Sequence, residues 1–163
     1  PHERQGIMRW SGQILPPEMM GTHVASARSH TTGRTSSLSF RAITALWGHF
    51  GFEWDLLALD DSEAAELAQW VELYKSRRQL LLTGRLVRRD LADGSLRLHG
   101  IAARDHRRAL IGDPPDGLIP PPWFGSNNQG IAMSGKMLRL HGVAAPLIYP
   151  DQAILLETEE QSN

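Results

Sequence analysis

Cysteine is missing from this chain of 163 residues, so disulfide bonds and thiolate metal sites are excluded. This absence leaves the compartment undecided, and the reducing cytoplasm is the expected localisation. No apolar run approaches the roughly 18 residues that a membrane span needs, so no membrane insertion is expected. An excess of charge is also missing, with 17 basic and 18 acidic residues. No basic stripe indicates nucleic acid as a partner, and no acidic tail indicates a cationic one.

A methionine or signal-like region is absent from the start, which reads Pro1-His-Glu-Arg4. Such a start is typical of the interior of a longer protein, so no localisation signal can be read there. Hydrophobic residues make up 41% of the chain and charged residues 21%, which is typical of a globular protein. The length suits one ordinary domain or two small ones.

The first part of the chain alternates helical patterns with short apolar runs. A first helix is predicted over residues 3–15, where three apolar residues recur at helical spacing: Ile7, Trp10 and Ile14. The two prolines that follow would end it, because proline lacks the amide proton. Residues 20–25 are short and mostly apolar, which predicts a buried strand. Residues 26–37 are rich in Ser, Thr, Gly and Arg and predict a loop.

Two further helices flank a second predicted strand at residues 52–57. The earlier of these helices has its apolar face at four positions: Phe40, Ile43, Trp47 and Phe50. The later one, over residues 62–78, has a capping-type start at Asp60 and Glu63. We expect it to bury four side chains and expose three: Leu67, Trp70, Val71 and Tyr74 inside, and Glu66, Glu72 and Arg77 outside.

After Gly84 the pattern changes from helical to alternating. Residues 86–90 and 96–102, joined by a turn at Asp93-Gly94, predict a β-hairpin. Residues 112–130 are crowded with Pro, Gly and Asn and predict irregular structure. Two more strands are predicted near residues 137–144 and 153–158.

This order of elements indicates the fold class. Helices that alternate with short strands indicate a parallel α/β sheet, whereas strands joined by tight turns indicate an antiparallel one. The fold class is therefore α/β followed by β, with a predicted boundary between residues 1–83 and 84–163. Two parallel strands cannot close a barrel or bury a full core, so the first part is interpreted as a piece of a larger sheet. The second part is interpreted as a β-sandwich-like domain.

Four stretches together resemble glycoside hydrolase family 36, the α-galactosidases and their raffinose-type relatives. The start at residues 1–4 is similar to the end of that family's Ser-Asp-x-x-Asp-x-x-x-Arg motif. The sequence LPPEMMGTHV at residues 15–24 is similar to the family's PPE-MGAHV, and SHTTGR at residues 29–34 to its NHQTGR loop. Residues 38–56, with LSFR and GHFGFEWDL, are similar to LEFRA…FG-GYE-DL. The four matches keep the family's order and span roughly half of the chain.

The resemblance implies the last quarter of a (β/α)8 TIM barrel plus a short C-terminal antiparallel β-domain. It implies a retaining α-galactosidase that removes terminal α-linked galactose from oligosaccharides by double displacement. In the family the nucleophilic Asp follows the fourth barrel strand and the acid/base Asp follows the sixth. Both would lie upstream of Pro1, so this fragment alone is expected to be inactive. The implied partners are a galactoside oligosaccharide and the remainder of the barrel; no cofactor is implied, and homo-oligomerisation stays open.

A non-catalytic carbohydrate-binding or scaffold piece is the second interpretation. The residues upstream of Pro1 separate the two: Ser-Asp-x-x-Asp indicates a cut enzyme, and a start codon favours the scaffold. The family also continues with more strands after a stretch like residues 109–112, whereas this chain goes directly to Asp113-Pro-Pro. The β-domain is therefore expected to be short by several strands.

Three residues are the candidates for substrate binding: Arg4, His30 and Arg34. By the resemblance Arg4 follows strand 6, where an arginine can hold acidic groups by bidentate hydrogen bonds. Its alternative role is to pair a surface carboxylate at the entry of a helix. His30 and Arg34 would lie in the loop after strand 7, on the barrel face where active sites gather. They suit sugar hydroxyls, and their alternative role is to brace the loop.

The remaining polar and aromatic candidates are interpreted as structural or stay unassigned. His23 lies inside a predicted strand and is expected in the core or between layers. Glu53 and Asp55, two apart on a strand, would stand about 7 Å apart, whereas a retaining pair needs roughly 5–5.5 Å. They are expected at the barrel rim. Trp123-Phe124 suits a sugar platform or a small satellite core. The seven histidines show no metal-ligand spacing, so no metal is expected.

Overall fold

The computed structural model of the protein describes residues 2–90, 97–105, 108–113 and 154–159. Its α-helices are α1 His2–Ser11, α2 Leu38–Ala45 and α3 Asp61–Thr83. Two short 3-10 helices cover Pro17–Met19 and Leu56–Ala58. The strands are β1 Gly21–Ala25, β2 His49–Glu53, β3 Arg85–Asp90, β4 Arg97–Ala102, β5 Arg108–Asp113 and β6 Ile154–Glu159.

Two sheets organise these elements. β1 and β2 are parallel neighbours, with Gly21 opposite His49 and Ala25 opposite Glu53. α2 lies between them in sequence and packs on β1, as a crossover helix does. The other sheet is antiparallel, in the order β3-β4-β5-β6. The predicted α/β part followed by an antiparallel β part is confirmed. The division into domains at residues 83 and 84 stays a prediction, although the change of sheet falls there.

The second strand is displaced from its predicted place. Residues 52–57 were expected to form it, but β2 is His49–Glu53 and α2 already ends at Ala45. Gly48 explains the early turn: a Cβ there would overlap the Met20 carbonyl oxygen and crowd Thr22, so the chain passes close to β1. The His49 amide then donates to the Met20 carbonyl at 2.8 Å and starts the ladder. Phe50 therefore belongs to the strand and not to the helix.

The first helix is shorter than predicted and buries a different face. It ends at Ser11 rather than near residue 15. The apolar stripe is exposed, with 63% of Ile7, 66% of Trp10 and 84% of Ile14 accessible to solvent. Met8 is the residue of this helix that enters the core.

α3 follows its predicted period more closely. The Asp60 side chain accepts a hydrogen bond from the Glu63 amide at 2.7 Å and caps the helix. Leu67 and Tyr74 are buried as expected, and Leu81 continues the same face two turns later. Four other positions have these outcomes: Trp70 and Val71 are half-buried rather than buried, and Glu66 and Arg77 are half-buried rather than exposed. Glu72 is exposed.

The core is continuous from the α/β part into the antiparallel sheet. One cluster packs Val24 of β1 against α2 and Leu67 of α3. A larger cluster joins Met8 and Trp47 to Leu81 at the end of α3 and to Ile101 of β4. Leu81 and Ile101 are completely buried. The antiparallel sheet is thus packed on the helices that cover the parallel one.

Other predictions have mixed outcomes in the second half. The hairpin of β3 and β4 is confirmed, and β6 lies within one residue of its predicted bounds. β5 was not predicted, because its apolar run is too short to show alternation. The irregular stretch predicted over residues 112–130 is wrong at its start, because Gly112 and Asp113 belong to β5. The rest of that stretch with Trp123-Phe124, the turn at Asp93-Gly94 and the strand near residues 137–144 lie outside the described residues. Within the described part, no helix is both long and apolar enough to cross a membrane.

Candidate active-site face

The candidate site lies on the face of β1 and β2 that is turned away from α2 and α3. Side chains alternate between the two faces of a strand. Thr22 and Val24 are buried towards α2, and the Thr22 hydroxyl donates to the Ala45 carbonyl at 2.5 Å. On β2, Phe50 stacks on Tyr74 of α3, with ring centroids 5.3 Å apart. The residues between these positions therefore project from the opposite face.

His23 and Glu53 project from that opposite face, and Arg4 of α1 joins them. His23 lies opposite Gly51 on β2, and Glu53 lies two residues further along that strand. Arg4 Nη1 is 3.1 Å from His23 Nδ1, and Arg4 Nη2 also contacts His23 Nε2. His23 Nε2 in turn contacts Glu53 Oε2. We call these three residues the Arg-His-Glu cluster.

The protonation of His23 follows from its partners. Burial lowers the pKa of His23 below 6.5, the Arg4 charge lowers it further, and the Glu53 carboxylate opposes both. The neutral ring has one donor and one acceptor nitrogen. Nε2 contacts both Glu53 Oε2, which only accepts, and Arg4 Nη2, which only donates. With the proton on Nε2, two of the three contacts are hydrogen bonds, from Nε2 to Glu53 and from Arg4 Nη1 to Nδ1; with the proton on Nδ1, only the contact from Arg4 Nη2 to Nε2 is one. We therefore assign the proton to Nε2. Nδ1 then accepts from Arg4, and the neutral ring connects a positive group to a negative one.

Arg41 braces the end of β1 next to this cluster. Its side chain is buried, with Nη1 donating to the Ala25 carbonyl at 2.6 Å and Nε to the Ser37 carbonyl at 3.2 Å. The guanidinium carbon also lies 5.1 Å from the centre of the Trp54 ring, a cation–π distance. Burial lowers the pKa of Arg41, and nearby carboxylates oppose that shift. This arginine ties the carboxyl ends of both strands to the start of α2.

The loop that carries His30 and Arg34 is held by its own backbone. The Ser29 amide donates to the Arg34 carbonyl at 2.8 Å, and the Gly33 amide to the Ser29 carbonyl at 2.9 Å. Gly33 has φ of +71°, a conformation that favours glycine. Both candidate side chains are exposed, and neither contacts another described residue through a hydrogen bond or salt bridge. The structure brings Arg4 together with His23 and Glu53, but not with His30 or Arg34.

The arrangement supports polar binding and does not supply a pair of catalytic carboxylates. Asp55, the expected neighbour of Glu53, caps the short helix after β2 by accepting from the Leu57 amide at 3.0 Å. Among the described residues no group of three His, Asp or Glu side chains is placed to hold a metal ion. The cluster offers guanidinium donors beside a carboxylate, which suits acidic groups or sugar hydroxyls.

His23 and Glu53 were not among the residues that the sequence indicated for the site. The strand shift contributed, because residues 52–57 placed Glu53 near the start of its strand rather than at its carboxyl end. Strand alternation was the available signal: His23 stands between two residues that pack on the helices and so must face away from them.

Solved structures of glycoside hydrolases share this fold. The α-galactosidase from Lactobacillus brevis matches with a TM-score of 0.83 and 23% identity, over 99% of this chain and 25% of that one. A variant of the family 36 α-galactosidase AgaA from Geobacillus stearothermophilus, in complex with raffinose, matches with a TM-score of 0.80 and 23% identity. That match covers 96% of this chain and 24% of the other.

Sequence relatives narrow the class to one family. The α-galactosidase of Escherichia coli is 31% identical over an alignment of 198 positions, gaps included, that covers 96% of this chain and 28% of that protein. AgaA is 36% identical over 85 residues, which cover 52% of this chain and 12% of that protein. Residues 1–84 match the model of the melibiase family, and the chain belongs to that family. It spans about a quarter of the length of its Escherichia coli relative.

Proposed function

We propose that this chain is the C-terminal part of a retaining α-galactosidase of family 36. It would supply the last quarter of the (β/α)8 barrel, with β1 and β2 as its seventh and eighth strands, and a short β-domain. One observation carries the proposal: a parallel β-α-β unit presents the Arg-His-Glu cluster on the face that would line the barrel. The membership in the melibiase family supports the same assignment.

The proposed reaction is hydrolysis of terminal α-linked galactose from oligosaccharides. One AgaA structure holds raffinose and another holds stachyose, and we extend this substrate class to the protein proposed here. In double displacement a carboxylate attacks the anomeric carbon while a second one protonates the leaving oxygen and then activates water. Both carboxylates would come from residues upstream of Pro1. This chain would form one wall of the pocket.

Arg4, His30 and Arg34 would be the substrate-side contributions of this chain. Arg4 would hold acidic groups of the site with its guanidinium. His30 and Arg34 lie exposed in the loop after β1, at the carboxyl end of the strand, where barrel enzymes place their substrate loops.

The test is release of a chromogenic phenol from an aryl α-galactoside. The purified 163-residue chain should give no turnover above background, because the proposed nucleophile and acid/base group both lie upstream of Pro1. The longer reading frame, with the upstream segment, should give sustained turnover, and Arg4→Ala in that protein should lower it without loss of the fold. Turnover by the short chain that disappears on Glu53→Gln or Asp55→Asn would mean that the catalytic residues are placed wrongly. A full-length protein that binds galactosides without hydrolysis would favour the scaffold interpretation.

A further inference from the structure

The sheet face around the Arg-His-Glu cluster lacks the apolar filling of an ordinary barrel interior. Branched apolar side chains usually dominate the layers inside such barrels. The residues of β1 and β2 on this face are small or polar: Gly21, His23, Ala25, His49, Gly51 and Glu53. The space in front of His23 is therefore available to a polar group that arrives from another element.

Arg4 is that group, and His23 determines the direction of its guanidinium. The planar guanidinium has five N–H donors in a fixed fork. Arg4 Nη1 donates to Nδ1 and Nη2 lies against Nε2, so one hydrogen bond and one steric contact with the same ring restrict the position and the tilt of the fork. At least three N–H groups remain for other acceptors. A small rotation of the ring would redirect all of them.

Glu53 determines the orientation of the His23 ring in turn. Its carboxylate contacts Nε2, so the ring keeps Nδ1 turned to Arg4. Arg4 on α1 and Glu53 on β2 are the charged groups that act on His23. The His23 side chain is 33% exposed and that of Glu53 is 68% exposed. Ion pairs with such exposure contribute little to the free energy of unfolding, so a gain in stability does not explain this arrangement.

We propose that His23 and Glu53 are positioning residues that fix the Arg4 guanidinium towards the acidic groups of the active site. This inference rests on the proposed α-galactosidase function. His23 acts as a neutral connector, accepting from Arg4 and donating to Glu53, and neither His23 nor Glu53 touches the substrate. The role differs from a structural salt bridge, because its loss lowers turnover much more than stability.

The first test measures the tautomer and needs no activity. The NMR chemical shifts of the imidazole nitrogens, measured in the full-length protein with 15N-labelled histidine, should show His23 as the Nε2–H tautomer at pH 7. Glu53→Gln should lower the pKa of His23 further, because it removes the one charge that raises it. Arg4→Met should raise that pKa. A protonated His23 ring at pH 7, or the Nδ1–H tautomer, would overturn the proposal regardless of the measured activity.

The second test measures kcat and KM in the full-length protein. His23→Leu should lower kcat by about 10- to 100-fold, the loss that misplacement of a site group causes, with much less change in KM. His23→Gln should restore most of the rate, because the amide oxygen can accept from Arg4 and its NH2 can donate to Glu53. His49→Leu is the matched control: it removes a histidine from the same face, at the far end of the sheet, and should leave kcat unchanged.

The outcomes separate this inference from the proposed function. If Arg4→Ala lowers kcat while His23→Leu and Glu53→Gln leave it within about twofold, the positioning role is wrong and the α-galactosidase assignment stands. If the unchanged full-length protein hydrolyses no α-galactoside, the α-galactosidase assignment and the positioning role are both wrong. The tautomer measurement then describes a structural contact only. Melting temperatures of all variants identify any loss of rate that comes from unfolding.

Discussion

His99 of β4 lies between the sheet and the helices, beside an aromatic ring and near two arginines. Its ring centroid lies 4.9 Å from that of Trp47, a residue of the larger core cluster. Burial, with the positive charges of Arg88 and Arg9, lowers the pKa of His99 to about 3. The ring therefore stays neutral in the folded protein over the whole range in which a free histidine takes up a proton.

This residue should make the protein sensitive to acid. Below pH 6.5 the unfolded chain binds a proton at His99 that the folded protein does not bind, so stability falls as the pH falls towards 3. Between pH 7 and pH 5 the loss is up to about 2 kcal/mol. Melting temperatures across that range should fall less steeply for His99→Phe, which keeps an aromatic ring beside Trp47. His30→Phe, in an exposed loop, is the control for removing one histidine. Equal slopes for the His99 variant and the parent would contradict this account.

Of the three residues in the Arg-His-Glu cluster, only one could be predicted from the sequence. Arg4 was indicated by its place in a motif. Its partners could not be read locally, because His23 lies 19 residues away and Glu53 is on yet another element. Only the strand register brings His23 and Glu53 to one face. The tautomer of His23 depends on both partners together, so it follows from the structure alone.

Elements with a clear period were predicted best. The 3.6-residue period of α3 gave its buried positions at Leu67 and Tyr74, because one face of this helix packs on the core along its length. The same rule chose the wrong side of α1, where the apolar stripe is exposed and Met8 is buried. Periodicity shows that a face is apolar, but it does not show which neighbour covers it. β2 was misplaced because a close approach at Gly48, and not a pattern of side chains, sets its start.

The junction between α3 and β3 depends on the absence of a side chain at Gly84. A Cβ there would overlap a methyl group of Ile101 and crowd the carbonyl oxygens of Leu80 and Ala102. Gly84→Ala should therefore lower stability by about 1–3 kcal/mol, the usual result of overpacking. Gly6→Ala is the matched control, because a Cβ at that helical position meets nothing within 4 Å. It should stabilise by about 0.5–1 kcal/mol. Thermal melts of the two variants check both signs, and a neutral Gly84→Ala would disprove the steric argument.

At the scale of the whole molecule, the order of helices and strands could be predicted from the sequence. What covers the sheet edges and the apolar stripe of α1 could not. Alternation of helices and strands gave the parallel pair, and the change to alternating polarity gave the antiparallel sheet. The sheet of β1 and β2 has only two strands among the described residues, so its outer edges have no strand partner there. These edges and the exposed apolar stripe of α1 are the surfaces that the proposed barrel would cover.

The isolated 163-residue chain should therefore self-associate. Replacing Ile7, Trp10 and Ile14 together by Gln should reduce association at micromolar concentration, because it removes the exposed apolar stripe. Light scattering after size-exclusion chromatography measures the mass, and circular dichroism checks that the helices persist. Glu72→Gln, on an exposed position of α3, is the control for surface substitution as such. A monomeric unmodified chain with a cooperative melt would count strongly against a cut barrel.

The shared core of Met8, Trp47, Leu81 and Ile101 has a practical consequence for anyone who recombines family members. The junction between α3 and β3 is a convenient place to join segments of two genes. However, residues on both sides of that junction pack together in this core. In a chimera that takes the antiparallel sheet from a homologue, that sheet would face helices that do not match it. The helix residues that face the sheet should therefore be exchanged together with it.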